Sequence, residues 1–149
     1  MRETLQREGS AVASVPCGLM SEVLLATQEP FTGVDLLAID LEDDNFNLIR
    51  EKYSDRLQNN TWHEEKRDAL QLDNTERFDL ICSIGFTIYI KDDAEVQRLF
   101  KRFYAALKQN GKLVTNFAAL PKEYIEKETL SKLPNTYKLI SALCRSLPV

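Results

Sequence analysis

Reactive sulfur and imidazole are scarce in this chain. Its 149 residues hold three cysteines and one histidine. Cys17, Cys82 and Cys144 are far apart, odd in number and form no CxxC pair, so neither a disulfide framework nor a zinc site is indicated, and no metal is expected. Buried free thiols in a reducing cytoplasm are the reading that remains. His63 sits beside Trp62 with no serine or cysteine motif around it, which argues against a catalytic triad and for a surface or packing role. Glycine is sparse as well, at five residues. There is no GxGxxG, and no GxxxxGK followed by Ser or Thr. No apolar run approaches the ~20 residues that cross a bilayer, so no membrane partner is expected. Residues 1–9 are charged and lack an apolar stretch, so they are not expected to act as a secretory signal. Basic residues do not dominate either. Lys+Arg number 19 against 23 Asp+Glu, a net charge of −4, so no global field draws in nucleic acid.

What is present is an ordinary globular composition, with 44% hydrophobic and 28% charged residues. The length suits a single domain over residues 1–149. Short β-rich runs alternate with longer amphipathic ones. Residues 11–15 form the first apolar run and end in Pro16-Cys17-Gly18. Ser21 then reads as the N-cap of a short helix over residues 21–26. Residues 34–39 are almost continuously apolar and close on Asp40, as a strand buried on both faces would. Phe46, Ile49, Tyr53 and Leu57 follow at helical spacing, with Asp43 or Asp44 at the start and Asn59-Asn60 at the end. Residues 61–64 make a weak strand and residues 78–83 a clearer one. Asp92-Asp93 opens the strongest helical pattern, striped by Val96, Leu99, Phe100, Phe103 and Leu107, with Asn110-Gly111 as its stop. Residues 112–118 read as a last strand.

That order predicts an α/β fold, a doubly wound, mostly parallel twisted sheet. Ligands of such sheets bind beyond the carboxyl ends of the strands, where strand order reverses. Candidate residues therefore lie in the loops after residues 15, 39, 64 and 83. Gly18 can admit a ligand close to the backbone, or simply make a turn. Asp40 lies 22 positions further on, where such folds bind ribose hydroxyls; a carboxylate accepts from both. It could equally open a solvated helix with Glu42, Asp43 and Asp44. Asp68-Ala69 could meet an adenine amine, or belong to the charged surface turn of Glu64, Glu65, Lys66 and Arg67. Ser83 and the following Gly85 and Phe86 could line a pocket, with Tyr89 facing a substrate or packed.

These residues resemble a known family, the class I S-adenosylmethionine-dependent methyltransferases. Residues 12–20 (VASVPCGLM) are similar to a degenerate form of the family's first motif. Residues 36–40 (LLAID) resemble the second, whose acid holds the cofactor ribose. Arg67-Asp68-Ala69 is similar to the third, which contacts adenine. Residues 78–83 (FDLICS) resemble the fourth-strand motif, and residues 107–114 (LKQNGKLV) the helix–turn–strand "LK-x-x-G-x-L-V". The likeness runs from about residue 10 to 118. It implies S-adenosylmethionine as cofactor, held by Ser14, Pro16, Cys17, Gly18, Asp40, Leu41, Asp68, Ala69 and Ser83, with Gly85, Phe86 and Tyr89 toward the substrate. It assigns no catalytic residue.

The departures are specific. Ser14 stands where the family usually has an acid, and Pro16 and Met20 where it usually has glycines. Ser14 brings no carboxylate to the cofactor's amino-acid end, and Met20 adds bulk at the turn. The family's sheet also closes with an antiparallel hairpin, whereas the tail over residues 121–147 reads as helix (122–132, then 136–147). The expectation is a sheet that ends at the 112–118 strand, its edge covered by the tail or by a second copy in a homodimer. A fragment of a longer protein fits the same pattern. Three readings of function follow. One is a methyltransferase acting on an unassigned acceptor. Another is a noncatalytic, degenerate or truncated relative. The third is a nicotinamide oxidoreductase, which the missing GxGxxG disfavours. A phospho-acceptor receiver domain is set aside because its acids would follow the first strand.

Overall fold

A computed structural model describes residues 1–90 and 92–116. After a one-turn helix α1 (Arg2–Leu5), the chain enters β1 (Ala11–Ser14), α2 (Ser21–Leu24) and β2 (Asp35–Asp40). Helices α3 (Asp43–Lys52) and α4 (Ser54–Leu57) lead to β3 (Thr61–Lys66), and a 3₁₀ turn (Ala69–Gln71) to β4 (Phe78–Ser83). A second 3₁₀ turn (Phe86–Ile88) precedes α5 (Asp93–Ala106) and β5 (Leu107–Thr115). The five strands form one sheet in the order β3-β2-β1-β4-β5, with all pairs parallel.

Apolar side chains on both faces of the central strands explain the continuous runs in the sequence. Val12, Leu36, Ala38, Leu80 and Cys82 pack with Leu5, Val23, Leu24, Phe46, Ile49, Tyr53 and Leu57 of the α1–α4 layer. Ala11, Ala13, Leu37, Ile39, Phe78 and Ile81 turn the other way, onto Ala69, Leu72 and the α5 residues Leu99, Phe103 and Ala106. Phe78 and Phe103 are among the largest fully buried side chains; each such burial is worth about 1.5–3 kcal/mol.

Several local expectations shift. Ser21 does not cap α2. Met20 holds that position in left-handed conformation (φ 52°), with its side chain fully buried, and Ser21 Oγ pairs with Tyr53 Oη at 2.8 Å. The helix after Asp40 breaks at Tyr53, whose ring stays buried, so the stripe keeps its inward face across two helices. Neither Asp43 nor Asp44 caps α3: Glu42 is at the N-cap, with no side-chain cap bond. Asp92 does cap α5, accepting from Ala94 N at 2.9 Å. Residues 108–111 continue directly as strand. Asn110 (φ 66°) and Gly111 form an irregularity in β5, where Phe78 faces Leu107 but Leu80 faces Lys112. A Cβ on Gly111 would meet carbonyl oxygens of Lys108 and Phe78 at 2.9 Å, so a side chain there would collide with backbone.

Two polar side chains fasten the strand starts. Asp79 accepts from Arg7 (2.6 Å), Lys108 (2.7 Å) and the Ala11 N–H (2.9 Å), joining the leader, β1, β4 and β5 at the amino edge. Asn60 accepts from Val34 N and donates to the Phe31 and Arg56 carbonyls, closing the entry to β3. The expected tail helices, the closing hairpin, Cys144 and the last residues of the 112–118 strand lie outside the described residues.

Candidate functional site

Strand order reverses between β1 and β4, so the carboxyl ends of β1, β2 and β4 flank one crevice. The turn after β1 is pinned from its neighbours. Val15 N donates to Cys82 O at 2.8 Å and Cys17 N to Ile39 O at 2.7 Å, which suspends Pro16-Cys17-Gly18 between β4 and β2. Gly18 is left-handed (φ 46°), and a Cβ built on it would meet nothing within 4 Å. Glycine is thus favoured here by conformation, and the space over it is open. The bulk of Met20 does not enter that space, because its side chain belongs to the core under α2.

Asp40 ends β2 directly beside this turn. Its side chain is 7% exposed. Oδ2 accepts from Gly18 N at 2.9 Å and from Cys17 Sγ at 3.6 Å. Oδ1 accepts from Leu41 N at 2.8 Å and Glu42 N at 3.2 Å. A carboxylate offers about four acceptor positions; three are met by backbone N–H groups, and the fourth faces the Cys17 thiol, whose single proton also has Gly18 O within reach at 3.3 Å. The acid therefore organises both loops it touches. The weakest of its donors is the thiol, which burial, then the charges of Asp40 and Glu22, push far above the usual cysteine range.

Ser14 is wholly buried at the end of β1, and its hydroxyl donates to Glu22 Oε1 at 2.8 Å. Sequence reasoning missed Glu22. Its only signal was an acid on the short segment after the turn, in a chain whose first strand ends in serine instead of acid. Cys82, on β4, is likewise buried, and its thiol is pushed up to about 12, by burial first and by Glu22 second.

Asp68 follows β3 on the same edge, where Arg67 N donates to Asp40 O at 2.9 Å. One of its oxygens is engaged in capping the 3₁₀ turn, accepting from Leu70 N at 2.8 Å, while Ala69 is buried in the core under α5. Ser83 is buried at the end of β4, and its Oγ has no hydrogen-bond partner. Thr115, its register partner on β5, has an unpartnered Oγ1 as well. Gly85 (φ 80°) donates to Asn116 Oδ1 at 2.6 Å, a clasp from the end of β5 that the sequence did not signal. Phe86 packs partly against the α5 core. Tyr89 is 76% exposed and lines no described cavity. Leu19, Leu41 and Ile84, one from each loop at the crevice, are exposed apolar side chains.

Among the described residues no group of three or more His, Cys, Asp or Glu could hold a metal. His63 pairs with Asp35 at 3.2 Å on the outer strand β3. A groove of about 370 Å³, lined by Leu72, Asp73, Asn74, Thr75, Lys101, Arg102 and Ala105, lies before β4 and beside the end of α5, at the amino edge of the sheet.

Comparison with known proteins joins this geometry to a family. Residues 15–113 match the model described as "Methyltransferase domain" (Methyltransf_12). No curated protein matches the sequence. Among solved structures, a possible exported protein from Bordetella parapertussis is 34% identical with a TM-score of 0.70, over 91% of this chain and 50% of its own. An S-adenosylmethionine-dependent methyltransferase from Clostridium acetobutylicum is 22% identical (TM-score 0.55), over 71% of this chain and 42% of that one. The N-methyltransferase NodS from Bradyrhizobium japonicum, in complex with S-adenosyl-L-homocysteine, is 19% identical (TM-score 0.58), over 76% and 56%. The chain thus spans about half the length of these relatives.

Proposed function

Because the chain belongs to the class I methyltransferase domain family, we propose that it binds S-adenosylmethionine over the β1–β2–β4 carboxyl edge and transfers its methyl group to an acceptor nucleophile. The observation that carries the reading is Asp40, a buried carboxylate at the end of β2 held 2.9 Å from Gly18 N of the turn after β1, one strand from the point where strand order reverses. The residues present fit a nucleoside there. Gly18 leaves open space over the turn, and Leu19, Leu41 and Ile84 offer apolar surface to a flat base. Asp40 would accept from the ribose hydroxyls by exchanging the thiol of Cys17, its longest contact. Asp68 would turn its uncommitted oxygen to the adenine amine. The unpartnered hydroxyl of Ser83 would be satisfied from the ligand side. When bound, S-adenosylmethionine supplies a methyl group on a sulfonium, a leaving group good enough for alignment to provide much of the catalysis. Gly85, Phe86 and Asn116 would shape the acceptor side.

A thermal-shift titration tests this directly. At a ligand concentration 100 times Kd, binding to the native state alone adds about 2.7 kcal/mol, a rise of roughly 5–10 °C for a chain of this size. S-adenosylmethionine or S-adenosylhomocysteine at 1 mM is expected to raise Tm, and NAD at 1 mM is not. A flat response to all three favours the second reading, a noncatalytic relative. That reading has its own support, in the three backbone N–H groups that already occupy Asp40 and in Ser14 standing where the family's acid would be.

A further inference from the structure

Resting on that reading, we propose that Glu22 is the anionic contact for the ligand's ammonium group, a carboxylate delivered from α2 to the end of β1, where Ser14 supplies only a hydroxyl. The Ser14 Oγ–Glu22 Oε1 bond of 2.8 Å fixes the acid over the strand end, and Ser14 is fully buried while it makes this bond. Glu22 lies four residues past Gly18, so the same turn that opens the crevice leads into the helix that carries the acid. Ser14 pairs in register with Cys82 of β4, so the acid it holds stands where β1 meets β4, and its charge helps to raise the thiols of Cys17 and Cys82.

Division of labour with Asp40 follows from acceptor capacity. Three backbone N–H groups already meet Asp40, and the Cys17 thiol, shared with Gly18 O, stands at its fourth position. Ser14 takes one of the roughly four positions on Glu22. A ligand whose amino-acid end carries an ammonium, close to a sulfonium, is met most favourably by the acid with capacity left. Ser14 is then a positioning residue. It holds Glu22 in one rotamer and does not touch the ligand.

The test is a set of binding titrations on the full chain, with probes that differ at one end. S-adenosylhomocysteine carries the amino-acid end. Decarboxylated S-adenosylmethionine keeps the ammonium without the carboxylate. 5′-Methylthioadenosine lacks both. Glu22→Gln is expected to weaken the first two about tenfold, the scale of a half-buried charge contact, and to leave 5′-methylthioadenosine unchanged. Ser14→Ala, which keeps the acid but frees it, is expected to give the same selectivity with a loss of only a few-fold. It also keeps the test decisive should Glu22→Gln fold poorly. Equal affinities of wild type and both variants for S-adenosylhomocysteine overturn the role of Glu22 and leave the cofactor site standing. An equal loss for all three probes overturns it too, by making Glu22 a shaper of the whole crevice. Wild type that binds none of the probes overturns the cofactor reading and this inference with it.

Discussion

Replacing Asp40 by asparagine swaps one atom in a side chain to which three backbone N–H groups donate. The Gly18 N–H donates to Oδ2, where the Cys17 thiol also stands 3.6 Å away, and Leu41 and Glu42 donate to Oδ1. An amide has one oxygen, so it can serve only one of these pairs. With its nitrogen toward the turn after β1, it confronts the Gly18 N–H, donor against donor. With its nitrogen toward α3, it confronts two backbone N–H groups. The first orientation is cheaper and still orphans a backbone donor at a site only 7% exposed. An unsatisfied buried donor costs about 1–3 kcal/mol, and the remaining bonds lose their charge assistance. The expected destabilisation is therefore about 2–3 kcal/mol, a fall in Tm of roughly 5–10 °C. Urea unfolding should show a lower midpoint with an unchanged m-value. The same variant should bind S-adenosylhomocysteine more weakly than wild type. A stability change below about 0.5 kcal/mol, the size of an ordinary surface substitution, would refute the account of Asp40 as the group that organises both loops.

Cys17→Ser places a stronger donor against Asp40, so it should weaken S-adenosylhomocysteine by about 3–10-fold, the value of a competing hydrogen bond, while Cys17→Ala should bind at least as well as wild type; calorimetry on the pair decides whether the thiol competes with the ligand. Asp79 feels burial, which would raise its pKa, but the Ala11 N–H, Lys108 and Arg7 outweigh it and hold the carboxyl below the usual range. Its contribution is thus present above the unfolded pKa of about 3.9 and lost as pH falls through the lower folded value. With Arg7 and Lys108 both substantially exposed, Asp79→Asn should cost only about 1 kcal/mol at pH 7, and the gap to wild type should begin to narrow in denaturant melts as pH falls below about 3.9. Cys17 and Cys82 should resist alkylation at pH 8 in the native state and react on unfolding, as read by mass spectrometry of their peptides, because the thiolate is the reactive form and burial suppresses it. Since their folded pKa values lie above the unfolded one, stability should also decline as pH rises beyond about 8.5.

Hydrophobic order along the chain was sufficient to predict the parallel sheet. The run at residues 34–39 and the stripe of Val96, Leu99 and Phe103 each have one physical solution, a strand buried on both faces and a helix laid on one of them. The same order located Gly18, Asp40 and Asp68 on one edge, because loops after parallel strands all leave at the carboxyl end. What the sequence could not convey is which groups satisfy one another. Ser21 read as a cap because capping is local, yet its hydroxyl goes to Tyr53, 32 positions away, and Met20 takes the turn in a conformation its own side chain disfavours. Asp79 looked like part of a strand motif and is the clasp of the amino edge. Helix α5 passes into β5 without a separate connection because pairing with β4 absorbs Asn110-Gly111 as an irregularity.

The sequence by itself thus determined the layers and the edge on which Gly18, Asp40 and Asp68 gather, since periodicity and burial are properties of each segment alone. Only the tertiary structure decided that Asp40 is held by three backbone N–H groups from two loops and that Glu22 is bonded to Ser14, since acceptor occupancy depends on donors the chain brings in from other elements.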